Sequence, residues 1–243
     1  MGIPAPSSRD YTYSTSGAFS KRRGRDLSRA RAGPRCEDEV MNITIQPLTV
    51  DHEDAAARLL ARAFVTNPLH VAVFGKDQVA ANEAFFRIGL ASMKGQKLVA
   101  VDGSLTLGMI HWVHSPKCQF SAAEKLQRLP AMLKGFGLRS TIRIGNWLSV
   151  WSKHDPAEHH SHLGPIAVSP EAQGLGIGRQ LMERYCDALG GMGTVGYLET
   201  DRPENVRFYE RFGFEVTEES SISGVVNYFM RRDAKLRNGS ADR

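Results

Sequence analysis

The sequence predicts one α+β domain built on a mixed, mostly antiparallel sheet of about six or seven strands flanked by helices. Three observations predict it. Alternating apolar runs open the body (41–50), cross a tight turn (97–114) and close the chain (214–232), which is strand periodicity. Helix-like runs separate them. At the centre lies "HLGPIAVSPEAQGLGIGRQLMERYCDAL", a strand, a glycine loop and a helix in succession.

Each element follows from local chemistry. "MNITIQPLTV" (41–50) alternates and reads as a strand. "DHEDAAARLLARAF" (51–64) opens with acids suited to a helix N-terminus, and Ala56, Leu59, Leu60, Ala63 and Phe64 share a face. "NPL" ends it. A second helix is expected over 78–94. "KLVAVDGSLTLGMIHWVH" (97–114) is two strands about Asp102-Gly103. Residues 115–158 have helical spacing broken by Pro130, Gly135 and Gly137. They read as two or three short helices, an insert that either roofs a pocket or extends the core. A strand over 162–170, a helix to Leu189, a strand at "VGYLET" (195–200) and a helix at "PENVRFYERFG" (203–213) follow. That last helix has proline in its first turn and glycine at its stop.

Composition bounds the function. The chain has 243 residues, 42% hydrophobic and 23% charged, as in globular proteins. No apolar run reaches the ~20 residues of a spanning helix, so no membrane partner is expected. Residues 1–35 carry eight basic residues against two acids, a net of +6, so the chain's +5 leaves −1 for the remainder. The body is not basic, which excludes a nucleic-acid groove. Residues 1–40 form a Ser- and Arg-rich leader, read as a disordered extension. A transit peptide has the same composition. Residues 41–232 form the domain and 233–243 a tail. Three scattered cysteines, Cys36, Cys118 and Cys186, exclude a disulfide scaffold and point to the cytoplasm. Oligomeric state is not legible.

Gly174, Gly176 and Gly178 stand at alternate positions before a helix. A helix start offers unpaired amides and partial positive charge, and glycines admit an anion to them. A phosphate or pyrophosphate is implied. Walker A fails because Arg179 and Gln180 follow Gly178, and the dinucleotide pattern fails for want of its third glycine. The pattern that remains is Gln-x-x-Gly-x-Gly, at Gln173, Gly176 and Gly178.

That pattern, within "GPIAVSPEAQGLGIG" and ahead of "LETDRPENVRFYERFGF", resembles the acetyl-CoA signature of the GNAT N-acetyltransferases. Residues 162–232 resemble the family closely, 42–114 loosely, and the nearest look is to the puromycin N-acetyltransferase-like group. The resemblance implies a GNAT-like fold with a splayed central strand pair. Acetyl-CoA would be the co-substrate, and a small-molecule primary amine the acceptor in a ternary complex. It implies Ile166, Ala167 and Val168 along the pantetheine. Gln173 and the amides of Gly174, Leu175, Gly176, Ile177, Gly178 and Arg179 would hold the pyrophosphate. Asn205 would lie near the thiol; helix capping is its plainer alternative.

The reaction needs a group to take the ammonium proton and an acid for the departing thiolate. Tyr209, four residues beyond Asn205 on one helix face, is the candidate acid, or else a core aromatic. Glu199 is the candidate base, or else a surface acid, and the resemblance supports the former. His162 is a candidate for the acceptor pocket wall. His154, His159 and His160 complete a histidine cluster without HExxH or cysteine-pair spacing. No metal is expected, and His159 and His160 read as a solvated turn. A peptide or protein amine is the second acceptor class. A non-catalytic acyl-CoA-binding module is the third reading, opposed by Glu199, Asn205 and Tyr209.

Overall fold

The structure is a computed structural model that describes residues 42–234. The leader, with Cys36, and most of the tail lie outside the described residues. The elements run β1 (Thr44–Pro47), α1 (Val50–Phe64), α2 (Pro68–Phe74), α3 (Val79–Ser92), β2 (Gln96–Asp102), β3 (Leu105–His114), α4 (Ala122–His154), β4 (His160–Val168), α5 (Ile177–Met192), β5 (Val195–Thr200), α6 (Pro203–Glu210), β6 (Glu215–Ile222) and β7 (Val225–Arg232). Seven strands form one sheet in the order β1-β2-β3-β4-β5-β7-β6. Every pairing is antiparallel except β4 with β5.

Strand alternation decides which helices cover which face. Val99, Val101 and Met109 pack with Ala56, Leu60, Phe86 and Leu90 of α1 and α3. Their neighbours Ala100 and Ile110 turn the other way, onto Ile177, Leu181, Met182 and Tyr185 of α5. The Tyr185 hydroxyl donates to the Ser161 carbonyl at 2.6 Å, fixing α5 to β4 where the parallel pair begins. A third cluster joins Leu69 and Val73 of α2 to Ile144 and Trp147 of α4 and to Ile222.

Two expectations need correction. The segment after Phe64 is not a simple break: Asn67 accepts from the Leu69 and His70 amides at 3.1 Å and caps α2, with Pro68 at its start. The insert is two helices that meet at a kink at Gly137, as the two-or-three reading allows, but it breaks at neither Pro130 nor Gly135. Ser121 and Glu124 start it with a reciprocal capping box. Pro130 sits inside the helix without ending it, and only Gly137, at φ 76°, leaves helical geometry. Gly135 marks a close approach instead, since a Cβ there would lie 3.1 Å from Ala84 Cβ of α3.

Candidate active site

β4 and β5 pair only through His160–Val195, Ser161–Gly196 and His162–Tyr197. Beyond His162 the strands part. Ile166, Ala167 and Val168 stay paired with Ile110, Met109 and Gly108 of β3, so their β5-facing edge has no strand partner. This is the expected splay. The cleft that it opens has a volume of about 650 Å³.

The glycine loop closes one end of that cleft. Gly174 and Gly176 have φ of 83° and 79°, a region where side chains are strained, and a Cβ on either would meet no atom within 4 Å. Their glycine is a conformational need. Gly178 differs: its φ is ordinary, and a Cβ would meet Val168 Cγ2 at 3.6 Å and Phe208 Cζ at 3.8 Å, which are normal contacts. Nothing in the protein forbids a side chain at Gly178, yet it lines the cleft. Gly176 is the N-cap of α5 and supplies no side-chain cap, while the first ladder bond runs from the Gln180 amide to its carbonyl. The amides of Ile177, Gly178 and Arg179 are thus left over at a positive helix end. Gln173 lines the cleft beside them; Leu175 does not, and is 48% exposed.

Arg179, Arg202 and Arg211 also line this cleft. Only Arg179 was anticipated. The other two flank α6, and no motif marks them. Amides at a helix start with three guanidinium groups fit a polyphosphate.

Asn205 and Tyr209 share one face of α6 and line both this cleft and a smaller adjoining cavity of about 130 Å³. Asn205 is not a cap: Arg202 holds that position, and Asn205 Nδ2 donates to Thr200 Oγ1 at 3.3 Å. Tyr209 is 6% exposed and packs on Phe208 and Phe214. Its hydroxyl has no hydrogen-bond partner among the described residues. Burial, and then the Asp201 charge, push its pKa up, so the phenol holds its proton throughout the neutral range.

Comparison with known proteins agrees with this geometry. The family described as Acetyltransferase (GNAT) matches residues 109–214, from β3 to the end of the α6 segment. That stretch supports a GNAT acetyltransferase. It is 27% identical over 169 residues to serotonin N-acetyltransferase 2, chloroplastic, of Oryza sativa subsp. japonica, covering 69% of each chain. The crystal structure of a histone acetyltransferase HPA2 and related acetyltransferase from Corynebacterium glutamicum has a similar fold. The TM-score is 0.63 at 18% identity, over 81% of this chain and 98% of that one. So does a putative arylalkylamine N-acetyltransferase 7 of the yellow fever mosquito, at TM-score 0.56 and 13% identity, over 79% and 88%. The domain is an acetyl-CoA-dependent N-acetyltransferase in class.

The smaller cavity of this acetyltransferase is aromatic, lined by Phe64, His70, Phe85, Phe86, Trp147 and Trp151. Two carboxylates reach it. Asp201 is committed: its oxygens accept from Asn67 Nδ2 at 2.6 Å and the Leu69 amide at 2.7 Å, tying α2 to the end of β5. Burial still pushes its pKa up. Glu199 is available. Its side chain is 1% exposed, Oε2 accepts from His162 Nε2 at 2.8 Å, and Oε1 is buried without a hydrogen-bond partner among the described residues.

His162, expected in the acceptor pocket wall, does not line this smaller cavity. It stands behind Glu199, facing Asp155 and a separate 300 Å³ cavity beneath α4. Burial alone would lower its pKa, but Glu199 and Asp155 outweigh that and raise it well above the ordinary value. His160 is not in a solvated turn: it starts β4, is 2% exposed, and its Nδ1 donates to the Glu158 carbonyl at 2.9 Å. His159 is exposed, as expected. His154 stacks on Phe229 at 3.9 Å between ring centres. Among the described residues no helix is long and apolar enough to cross a membrane.

Proposed function

We propose that this acetyltransferase moves the acetyl group of acetyl-CoA to the primary amine of a small arylalkylamine, by direct attack in a ternary complex. One observation carries the acceptor class: the aromatic cavity of about 130 Å³ that meets the diphosphate-fitting cleft at Asn205 and Tyr209 and ends on the unpartnered Glu199 Oε1. A cavity of this size holds about one benzene ring. The serotonin and arylalkylamine acetyltransferases among the similar proteins support the same class. Trp147 and Trp151 of α4 roof the cavity, which favours a small molecule over a peptide laid in an open groove. The likeness to the puromycin-type group rests on the 198–214 segment and adds nothing about the acceptor.

Acetyl-CoA supplies the activated acyl group. The amides of Ile177, Gly178 and Arg179, with the three arginines, hold its diphosphate. The free edge of Ile166–Val168 takes the pantetheine arm as an added strand and aims its thioester toward Tyr209. Glu199 Oε1 accepts the proton of the incoming ammonium, directly or through one water. His162 orients that carboxylate through the hydrogen bond from its Nε2. As the carbon–sulfur bond breaks, Tyr209 donates its proton to the leaving sulfur. General acid and base each contribute about 10²–10⁴ in rate.

The test is release of CoA thiol across a panel of amines, run with Glu199→Gln and Tyr209→Phe. Each variant should bind acetyl-CoA normally and lose about tenfold or more in kcat. Undiminished turnover in both would remove these residues from the mechanism. Tight acetyl-CoA binding with no turnover on any amine would favour a non-catalytic acyl-CoA sensor.

A further inference from the structure

We propose that Cys118, Asp155, His160 and His162 form a tetrahedral zinc site between the start of β4 and the end of α4. Their ligating atoms, one from each residue, all lie within 4.8 Å of one another. Three of the approaches are near the edges of a zinc tetrahedron. Bonds of about 2.0–2.3 Å with a single sulfur place ligand atoms about 3.3–3.6 Å apart. Cys118 Sγ lies 3.7 Å from His160 Nε2 and 3.8 Å from Asp155 Oδ2, and His162 Nδ1 lies 3.4 Å from Asp155 Oδ1.

The surroundings orient each ligand as a metal requires. His160 donates its Nδ1 proton to the Glu158 carbonyl, which leaves the Nε2 lone pair facing Cys118. His162 donates from Nε2 to Glu199, which leaves Nδ1 facing Asp155. Gln119 Nε2 holds Asp155 Oδ2 at 2.8 Å. The other oxygen, Asp155 Oδ1, on a side chain only 8% exposed, is buried without a hydrogen bond among the described residues, with His162 Nδ1 at 3.4 Å as its nearest cationic group. An acceptor in that position costs free energy unless a cation answers it, and an imidazolium at His162 or a metal ion can do so. An imidazolium answers Glu199 and Asp155 but leaves Cys118 a bystander, whereas zinc also engages the Cys118 thiolate. A divalent ion with one sulfur, two imidazoles and one carboxylate is zinc by ligand type and geometry.

Separation along the chain conceals the site. Cys118 follows β3, Asp155 ends α4, and the histidines alternate on β4, so no C-x-x-C or H-x-x-x-H spacing arises. The parallel start of β4 and β5 brings them together. Binding would displace the Cys118 thiol proton and any proton on His162 Nδ1. The inference does not rest on the acyl-transfer reading, and its test reads metal binding alone.

Full-length protein, reduced, free of any affinity tag and stripped with chelator, is titrated with Zn²⁺ and with Co²⁺. One equivalent of each should bind more tightly than about micromolar. The cobalt form should show thiolate-to-metal charge transfer and tetrahedral d–d absorption. Cys118→Ser should abolish the charge-transfer band, and His160→Gln should weaken zinc at least about 100-fold. Circular dichroism and a cooperative thermal transition check that each variant folds. If a variant does not fold, alkylation of wild-type protein decides: zinc should protect Cys118, read by peptide mass mapping. No binding by the wild type, an unchanged Cys118 alkylation rate, or a charge-transfer band that survives Cys118→Ser would overturn the site.

Discussion

Gly178 separates two reasons for glycine that alternate along one loop. Gly174 and Gly176 need their positive φ, so a variant at either tests the backbone and the ligand together. Gly178 has a helical φ and room for a Cβ. Gly178→Ala should therefore hold or raise Tm, because alanine is about 1 kcal/mol better than glycine inside a helix. Its methyl would still stand in the cleft proposed for the diphosphate. Calorimetry should show acetyl-CoA binding weakened by about tenfold or more, a loss of about 1.4 kcal/mol. Unchanged affinity would mean that the diphosphate lies elsewhere. At this scale the sequence was legible where chemistry is local. The glycine spacing, Asn205 and Tyr209 on one turn, and the adjacent Glu199 all stand on short stretches, and the fold brings them together. Arg202, Arg211 and the Asn67–Asp201 pair were not legible, because their partners lie far along the chain or across a cleft. The burial of His160 was misread for a similar reason. A strand start beside a loop looks polar in sequence, and only the parallel pairing with Val195 encloses it.

The element that most exceeds its sequence signal is α4. Pro130, Gly135 and Gly137 all read as breaks, but they do three different things: one is absorbed, one permits close packing on α3, and one makes the kink. The kink lets the later half turn Ile144 and Trp147 into the core while Trp147 and Trp151 face the acceptor cavity. Roof and core were posed as alternatives, yet one helix serves both. Trp151 is the better probe because it is half-buried and bonded through Nε1 to Asn227 Oδ1 at 3.1 Å, whereas Trp147 is a core residue. Trp151→Ala should raise KM for arylalkylamines about fivefold or more and change KM for acetyl-CoA little. A burial loss of about 1–3 kcal/mol on the ring accounts for that ratio. Linear aliphatic amines should feel it less. An equal rise for both amine classes would show that the roof does not sort acceptors by their rings.

For the molecule as a whole, the proposed acceptor cavity lies where α1, α2, α3 and α4 converge, and His70 stands at that junction. Its ring meets Phe64, Phe74, Phe85, Phe86 and Trp147, and its Nδ1 donates to Asn82 Oδ1 at 2.6 Å. No charged side chain from these elements contacts it among the described residues. Burial lowers its pKa from 6.5 to about 4 against the smaller upward pull of Asn82. The folded state therefore binds fewer protons than the unfolded chain between these values. Stability is intact above pH 6.5, falls as pH drops toward 4, and levels off below it, with a loss of about 3 kcal/mol from this group. His70→Gln keeps a donor for Asn82 and cannot titrate. Its stability at neutral pH should be lower through poorer packing. Its further decline between pH 6.5 and 4, from urea unfolding at a series of pH values, should be smaller than that of the wild type by about that amount. Parallel pH profiles would place His70 in a wetter site than the packing describes, and would take the dry aromatic cavity with it.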